Sequence, residues 1–517
     1  MAKSVVIAGG GTAGWMTAAY LRASFGDRVS VTVVESSAIP TIGVGEATFS
    51  TIRHFFSYIG LDERDWMPEC NATYKLGIRF RDWRYSGHDF YHPFERPTLV
   101  AGHTLQEWWL RCRPSERFDR DCFVIARLCD QMCSPYTVDG RLFEADDKTL
   151  AAGSRTTLAD EDIQYPYAYH FDAARLANYL MRMATKQGVI RVVDFIEECQ
   201  RDERGITGLV TKEHGTVHGD LFVDCTGFRG LLINQALGEP VISFQKYLPN
   251  DRAVALRVPT DIERDGIAPY TTARALDAGW MWTIPLFGRN GVGYVYAGDY
   301  CSPDEAEATL RAAVGPAAVG LEANHIRMRI GRSRRSWVGN CVAIGLASGF
   351  VEPLESTGIF FIQHGIEQLV KHFPGAELAP ALIEHYNEVV GRAIDGICEF
   401  LAFHYVTAAR ADNAYWKATK ERELPGELAH RLRLWQSKLP DADSIYPYYH
   451  GFEPYSWATL LLGLGGMPVR QRPVVDVLDA GLAEQEFDRL RQRAREAVAE
   501  LPSQYEYFAY IRRPLGV

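Results

Sequence analysis

With 517 residues, 47% of them hydrophobic, the chain can bury a large core. A net charge of −10 without any basic block or arm speaks against nucleic acid as a partner. Apolar runs stay short of the ~20 residues that span a bilayer, which speaks against a membrane protein.

The N-terminus opens on a short apolar run, Ser4-Val5-Val6-Ile7-Ala8, which predicts a buried parallel strand. A strand at the start of the chain leaves no room for a signal peptide, and a cytoplasmic location is expected. Gly9-Gly10-Gly11-Thr12-Ala13-Gly14 satisfies G-x-G-x-x-G. A helix pattern follows over Trp15–Phe25, then a second strand over Val29–Val34 ending at Glu35. Strand, glycines, helix, strand and acid in this order form a dinucleotide fingerprint. Gly9 permits the tight turn, Gly11 the approach of a pyrophosphate and Gly14 the packing of helix on strand. The pyrophosphate is expected at the helix N-terminus, with Glu35 on the adenosine ribose. A second glycine-rich segment, Thr41–Thr48, suits FAD better than NAD, and no second fingerprint offers NAD(P)H a site.

Residues 49–160 are rich in aromatics and histidine and read as an insertion. In Thr73–Phe80, alternation places Tyr74, Leu76, Ile78 and Phe80 on one face. Lys75 and Arg79 fall on the other, which periodicity reads as solvated. The ten cysteines carry no C-x-x-C, as buried thiols in a reducing compartment would. Cys129 and Cys133 read as core thiols, and no metal site is expected.

From about 165 to 390, strands and helices alternate again. Asp220–Gly227 is a strand that ends in small residues, suited to the adenosine end of FAD. Gly279-Trp280-Met281-Trp282-Thr283-Ile284-Pro285 puts two indoles on one face of a strand. They form either a stiff wall or ordinary sheet packing. Pro285 has no N–H to donate, so pairing should weaken there. Phe350–Gly358 leads into an apolar helix pattern, with Ser356 or Thr357 as N-cap and free amides beyond it, an anion site. Glu355 beside it, in apolar surroundings, is either a helix-start acid or an acid–base group. Beyond about 390 the pattern is helical. Histidine and tyrosine clusters at Tyr91–Glu95 and Tyr446–Tyr455 read as core packing when taken alone.

Together, GGGTAG, the lysine of YKLGIRF, GWMWTIP and the glutamate of PLESTG resemble the flavin-dependent tryptophan halogenases, and the likeness runs from Val5 to the Tyr505–Tyr507 region. It is strongest to members acting on indole positions 5 or 6. Arg117–Val124 and Leu501–Phe508 look most like those acting at position 6. The resemblance implies an α/β fold with a doubly wound, glutathione-reductase-like FAD module over 1–390. A mainly helical module over 391–517 would cover the substrate. FAD would be held by Gly9, Gly11, Thr12, Ala13, Gly14, Glu35, Ile42, Gly43, Val44, Gly45, Glu46, Ala47, Ile196, Asp224, Leu346 and Ile359. It would arrive as FADH2 from a separate reductase. With O2 it would form a flavin hydroperoxide, attacked by chloride or bromide held at Thr357 and Gly358. Trp280, Trp282 and Pro285 would form a partition through which only hypohalous acid passes to Lys75. There it would be hydrogen-bonded or converted to a haloamine. Glu355 would polarise the halogenating species or take the ring proton. Phe49, His92 and Phe94 would sandwich the indole of L-tryptophan, and Tyr448, Tyr449, Glu453 and Tyr455 would hold its amino-acid end. A homodimer is the family expectation. The rivals are a halogenase of another indole, a flavin monooxygenase and a non-catalytic flavoprotein.

Overall fold

In the computed structural model, residues 2–38, 45–143, 167–375, 378–445 and 452–512 are described. The Ser4–Ala8 strand is buried along nearly its whole length, as a strand covered on both faces must be. It lies inside a six-stranded sheet ordered Ile190–Val193, Ser30–Glu35, Ser4–Ala8, Leu221–Asp224, Cys341–Ala343 and Trp337–Val338. All neighbours are parallel except the last pair. Alternation divides the strands between two cores. Val5, Ile7, Val31 and Val33 pack under the helices Thr12–Phe25 and Ala173–Lys186. Val6, Ala8, Val34 and Phe222 face Ile206, Leu209, Leu232 and Ile233, so the second face is covered by the antiparallel Ile196–Val217 sheet and the helical segment Leu231–Ala236.

Gly14 sets how closely the first helix approaches the first strand. A Cβ there would sit 1.9 Å from the Gly9 carbonyl oxygen. Backbone cannot yield as a flexible side chain can. Gly14→Ala is therefore expected to destabilise the protein by about 3 kcal/mol or more, the scale of a severe overpacking. Thermal unfolding together with an FAD titration checks this, and wild-type values for both would refute it.

The second sheet has seven strands, ordered Asn324–Arg327, Arg252–Pro259, Arg289–Tyr296, Gly279–Leu286, Tyr270–Leu276, Gly77–Arg81 and Asp89–Pro93. Its last two strands come from the segment read as an insertion, which is therefore woven into this sheet. Pairing of Gly279–Leu286 with Tyr270–Leu276 stops at Thr283, two residues before Pro285. On the other side pairing continues through Pro285 and Asn290. The proline thus ends one ladder and leaves the other intact.

Lys75 does not lie on a solvated face. The strand breaks at Leu76, whose amide donates to the Pro269 carbonyl at 2.7 Å. Thr73–Lys75 pairs instead with Ala168–Phe171 in a small separate sheet that also takes Glu46–Ala47. The alternation read across 73–80 spans two sheets, and Lys75 is fully buried.

Helices dominate from Pro380–Thr407 to Gln504–Ile511. The first of these runs through the 390/391 division, so that boundary falls inside a continuous helix. One hydrophobic core holds side chains from both sides of it. Among the described residues no helix is long and apolar enough to cross a membrane.

Candidate active site

A cavity of about 760 Å³ lies between the two large sheets, and its wall includes Gly9, Gly11, Thr12, Ala13 and Glu35. The helix that starts at Thr12 has Gly11 as its N-cap, no side-chain cap and no acid in its first turn. Its first amides are left for an anion. Glu35 accepts from Trp15 Nε1 at 3.1 Å and from Arg191 Nε at 2.6 Å. Its carboxylate lies over Gly10, where a Cβ would sit 1.5 Å from Oε2. The middle glycine of the run is therefore required by Glu35, a need that the fingerprint does not express.

Gly45, Glu46, Ala47, Ile196, Leu346, Gly358 and Ile359 also line this cavity. Burial, with Asp172 nearby, pushes the Glu46 carboxyl up to about 7. Ile42, Gly43 and Val44 lie outside the described residues. Two expected cofactor residues are not on the wall. Gly14 packs helix against strand. Asp224 is turned away, accepting from the amides of Thr226, Leu232 and Ile233. It stabilises the turn that follows its own strand, and its neighbours Cys225, Thr226 and Gly227 line the cavity.

Trp280 and Trp282 line the same cavity, with ring centroids 6.3 Å apart and planes at 58°. Trp282 lies flat on Gly293, where a Cβ would meet its ring at 2.1 Å. Its Nε1 is buried with no protein partner, as is Thr357 Oγ1 at the far helix start. Orphaned donors of this kind, a capless helix and the glycine cradle fit a large polar cofactor and a small anion.

Glu355 and Ser356 complete the wall next to Gly358, both with φ of 65°. Ser356 is the N-cap residue of the helix Thr357–Lys371, yet its side chain caps nothing. Its hydroxyl instead accepts from Lys75 Nζ at 3.0 Å. The same ammonium nitrogen donates to the Thr48 carbonyl at 3.1 Å and sits 5.1 Å from the Phe94 ring centre. Burial brings the Lys75 amine down to about 7, although Glu355 opposes this.

Glu355 is not in apolar surroundings. His92 Nδ1 lies 3.0 Å from Oε1 and 3.1 Å from Oε2, and His404 Nε2 lies 3.1 Å from Oε1. Burial alone would raise this carboxyl, but the two histidines hold it at about 2. His404 Nδ1 also faces the Phe400 carbonyl at 2.7 Å. Both nitrogens of the His404 ring thus face oxygens, and the ring is held between the Phe400 carbonyl and Glu355. His404 carried no sequence signal, because a lone histidine in the last turn of a long helix, among apolar neighbours, reads as ordinary packing.

Phe49 packs on Phe360 at 5.3 Å and edge-on to Phe452 at 5.0 Å, and Phe452 stacks on Phe400 at 3.7 Å. His92 lies 6.5 Å from Phe452. The structure thus gathers Phe49, His92, Phe94 and Lys75 beside an aromatic nest. Phe452 and Phe400 belong to it and were not singled out from sequence. Glu453 is ion-paired with Arg96 through Nε at 2.7 Å. Burial raises the Tyr455 phenol. Tyr448 and Tyr449 lie outside the described residues.

The family profile described as tryptophan halogenase matches residues 4–480. The tryptophan 6-halogenase SttH of Streptomyces toxytricini is 58% identical over 98% of this chain and 97% of its own length. The 7-chloro-L-tryptophan 6-halogenase KtzR of Kutzneria is 59% identical over 98% of this chain and 99% of its own. The solved structure of Tar14, a tryptophan C-6 flavin-dependent chlorinase from taromycin biosynthesis, superposes with a TM-score of 0.95. It is 57% identical, covering 99% of this chain and all of its own. A cofactor cavity walled by two indoles, with a buried lysine beside its far end, thus sits in a chain that belongs to the tryptophan halogenase family.

Proposed function

We propose that this chain halogenates the indole ring of L-tryptophan at position 6, using reduced FAD from a separate NAD(P)H-dependent flavin reductase, O2 and chloride or bromide. The position rests on SttH, KtzR and Tar14, each described as acting there. The carrying observation is Lys75. Its amine is fully buried, is brought down to about 7 and is bonded to Ser356 on the cavity wall.

When bound, the reduced flavin supplies the reaction with O2 that turns halide into hypohalous acid. Every other task falls to the protein. The glycine box and the amides after Gly11 would hold the cofactor's pyrophosphate. Thr357 and Gly358 offer the halide a helix start. Trp280 and Trp282 close the cavity wall, so substrate is kept from the flavin and only a small oxidant passes. Lys75, as a neutral amine, accepts the halogen from hypohalous acid and releases water, or orients the acid by a hydrogen bond. Phe49, His92 and Phe94 present the indole carbon. Once that carbon has taken the halogen, its C–H is strongly acidic. The weakly basic Glu355 carboxylate is then sufficient to remove the proton.

Incubation with tryptophan, FAD, a flavin reductase, NADH and chloride tests the reading. The expected product is a monochlorinated tryptophan with the chlorine isotope pattern, and NMR places the substituent at position 6. Oxygen insertion without chlorine would make the protein a monooxygenase instead. A parallel reaction with 7-chloro-L-tryptophan separates the two substrates found among the relatives. Faster turnover of that compound would replace tryptophan as the substrate.

A further inference from the structure

Trp280 and Trp282 share a face, yet their rings are held in different ways. Trp282 is fixed by the flat surface of Gly293 and makes no bond through its N–H. Trp280 Nε1 donates to Glu352 Oε2 at 3.1 Å. Glu352 is fully buried. The same oxygen accepts from Asn250 Nδ2 at 2.8 Å and from the Tyr405 hydroxyl. Its other oxygen accepts from the Asn250 backbone N–H at 3.3 Å. Tyr415 holds Asn250 in place by donating to Oδ1 at 3.0 Å. Burial pushes the Glu352 carboxyl up, and Tyr405, Asn250 and Trp280 draw it back. No cation figures among these influences.

A buried carboxylate surrounded only by neutral donors is a costly element, and an apolar residue of similar volume would pack there without the penalty. A polar cluster offers direction instead: it fixes the plane of a ring and the path of a backbone. Glu352 does both. Three and four residues after it stand Glu355 and Ser356, both in left-handed conformation. This turn meets Trp280 at one end. At the other it meets Lys75, His92 and His404.

We propose that Glu352 is a positioning residue for halogenation, locking the Trp280 indole to the turn that carries Glu355 and Ser356. The partition and the lysine end of the site are thereby held as one unit. This rests on the halogenation reading above. If the unit loosens, reduced flavin is still consumed, but less hypohalous acid reaches Lys75 and more of it escapes to solvent.

Glu352→Gln keeps the shape of the side chain and turns an amide NH2 towards groups that are themselves donors. The expected result is near-wild-type FAD binding, with halogenated product per FADH2 oxidised falling about tenfold, the scale of one charge-assisted hydrogen bond. Free hypohalous acid, captured by a halogen-accepting scavenger added in solution, accounts for the difference. Trp280→Phe removes the other partner and gives the same fall. The double variant is no worse than either single one, as a shared interaction requires. Glu352→Asp, which keeps the charge but draws it away from the indole, also loses coupling and stands in if Glu352→Gln fails to fold. In FAD-free protein labelled with 15N at the indoles, the Trp280 resonance, identified by its loss in Trp280→Phe, shifts in Glu352→Gln or Glu352→Asp. A variant with a lower Tm but wild-type coupling would make Glu352 merely structural, and multiplying effects in the double variant would separate it from Trp280. If the wild type yields no halogenated tryptophan, the halogenation reading fails, and an unmoved indole resonance would overturn the anchor independently.

Discussion

Lys75→Ala lowers halogenation by on the order of 10³-fold or more while the protein continues to oxidise reduced FAD, because the reacting amine is lost and the cofactor cavity is not. Lys75 is absent from the cavity wall and reaches it only through Ser356. Removing it should leave flavin binding and its reaction with O2 in place. Lys75→Arg fails almost as completely, since a guanidinium is never neutral and does not fit the space between Thr48 and Ser356. Product measured by mass spectrometry against flavin reoxidation followed by absorbance separates the two halves. Appreciable chlorination by Lys75→Ala would remove the lysine from the chemistry. The wild-type rate should carry an acid limb near pH 7, where the amine loses its proton. Stability moves in the same direction. The folded value lies below that of an ordinary lysine, near 10.4, so between pH 7 and 10 the unfolded chain binds more protons and stability rises with pH.

The same lysine shows where sequence reasoning runs out. Its neighbours alternate well, and alternation assigns it to solvent. What buries it is a break at Leu76 and a bond to Pro269 almost two hundred residues away. The glycine box was legible because strand, turn, helix and acid are consecutive in the chain. The tryptophan pair was legible as a face, since Trp280 and Trp282 stand two apart on a strand. Its anchoring was not, because Glu352, Asn250 and Tyr405 come from separate elements. Asp224 shows a related limit. A strand-ending acid near a cofactor site is equally suited to bind the following turn, and here it does. Ser356 is where a cap was expected, but the left-handed backbone turns its hydroxyl to Lys75 instead. Helical spacing could not find His404, whose partner Glu355 precedes it by 49 residues.

Glu355→Gln lowers halogenation by about 10²-fold, the usual worth of a positioned base, without impairing FAD binding or flavin oxidation. The effect on pH dependence is more telling than the loss itself. Glu355 is held at about 2, so it is ionised throughout the working range and contributes no limb of its own. Its negative charge does, however, raise the Lys75 value against the pull of burial. With the charge removed, burial acts alone, and the acid limb should move to lower pH than in the wild type. The variant is thus slower at every pH yet keeps a larger fraction of its maximal rate below neutrality. Acid unfolding gives the corresponding sign. A carboxyl held below its unfolded value stabilises the wild type at neutral pH, and that contribution disappears as pH falls from about 4 towards 2. The variant lacks that loss. A pH–rate profile of the two proteins decides the assignment: an unmoved limb would mean that the group titrating near 7 is not Lys75, and a limb moved upward would contradict the placement of Glu355 beside it.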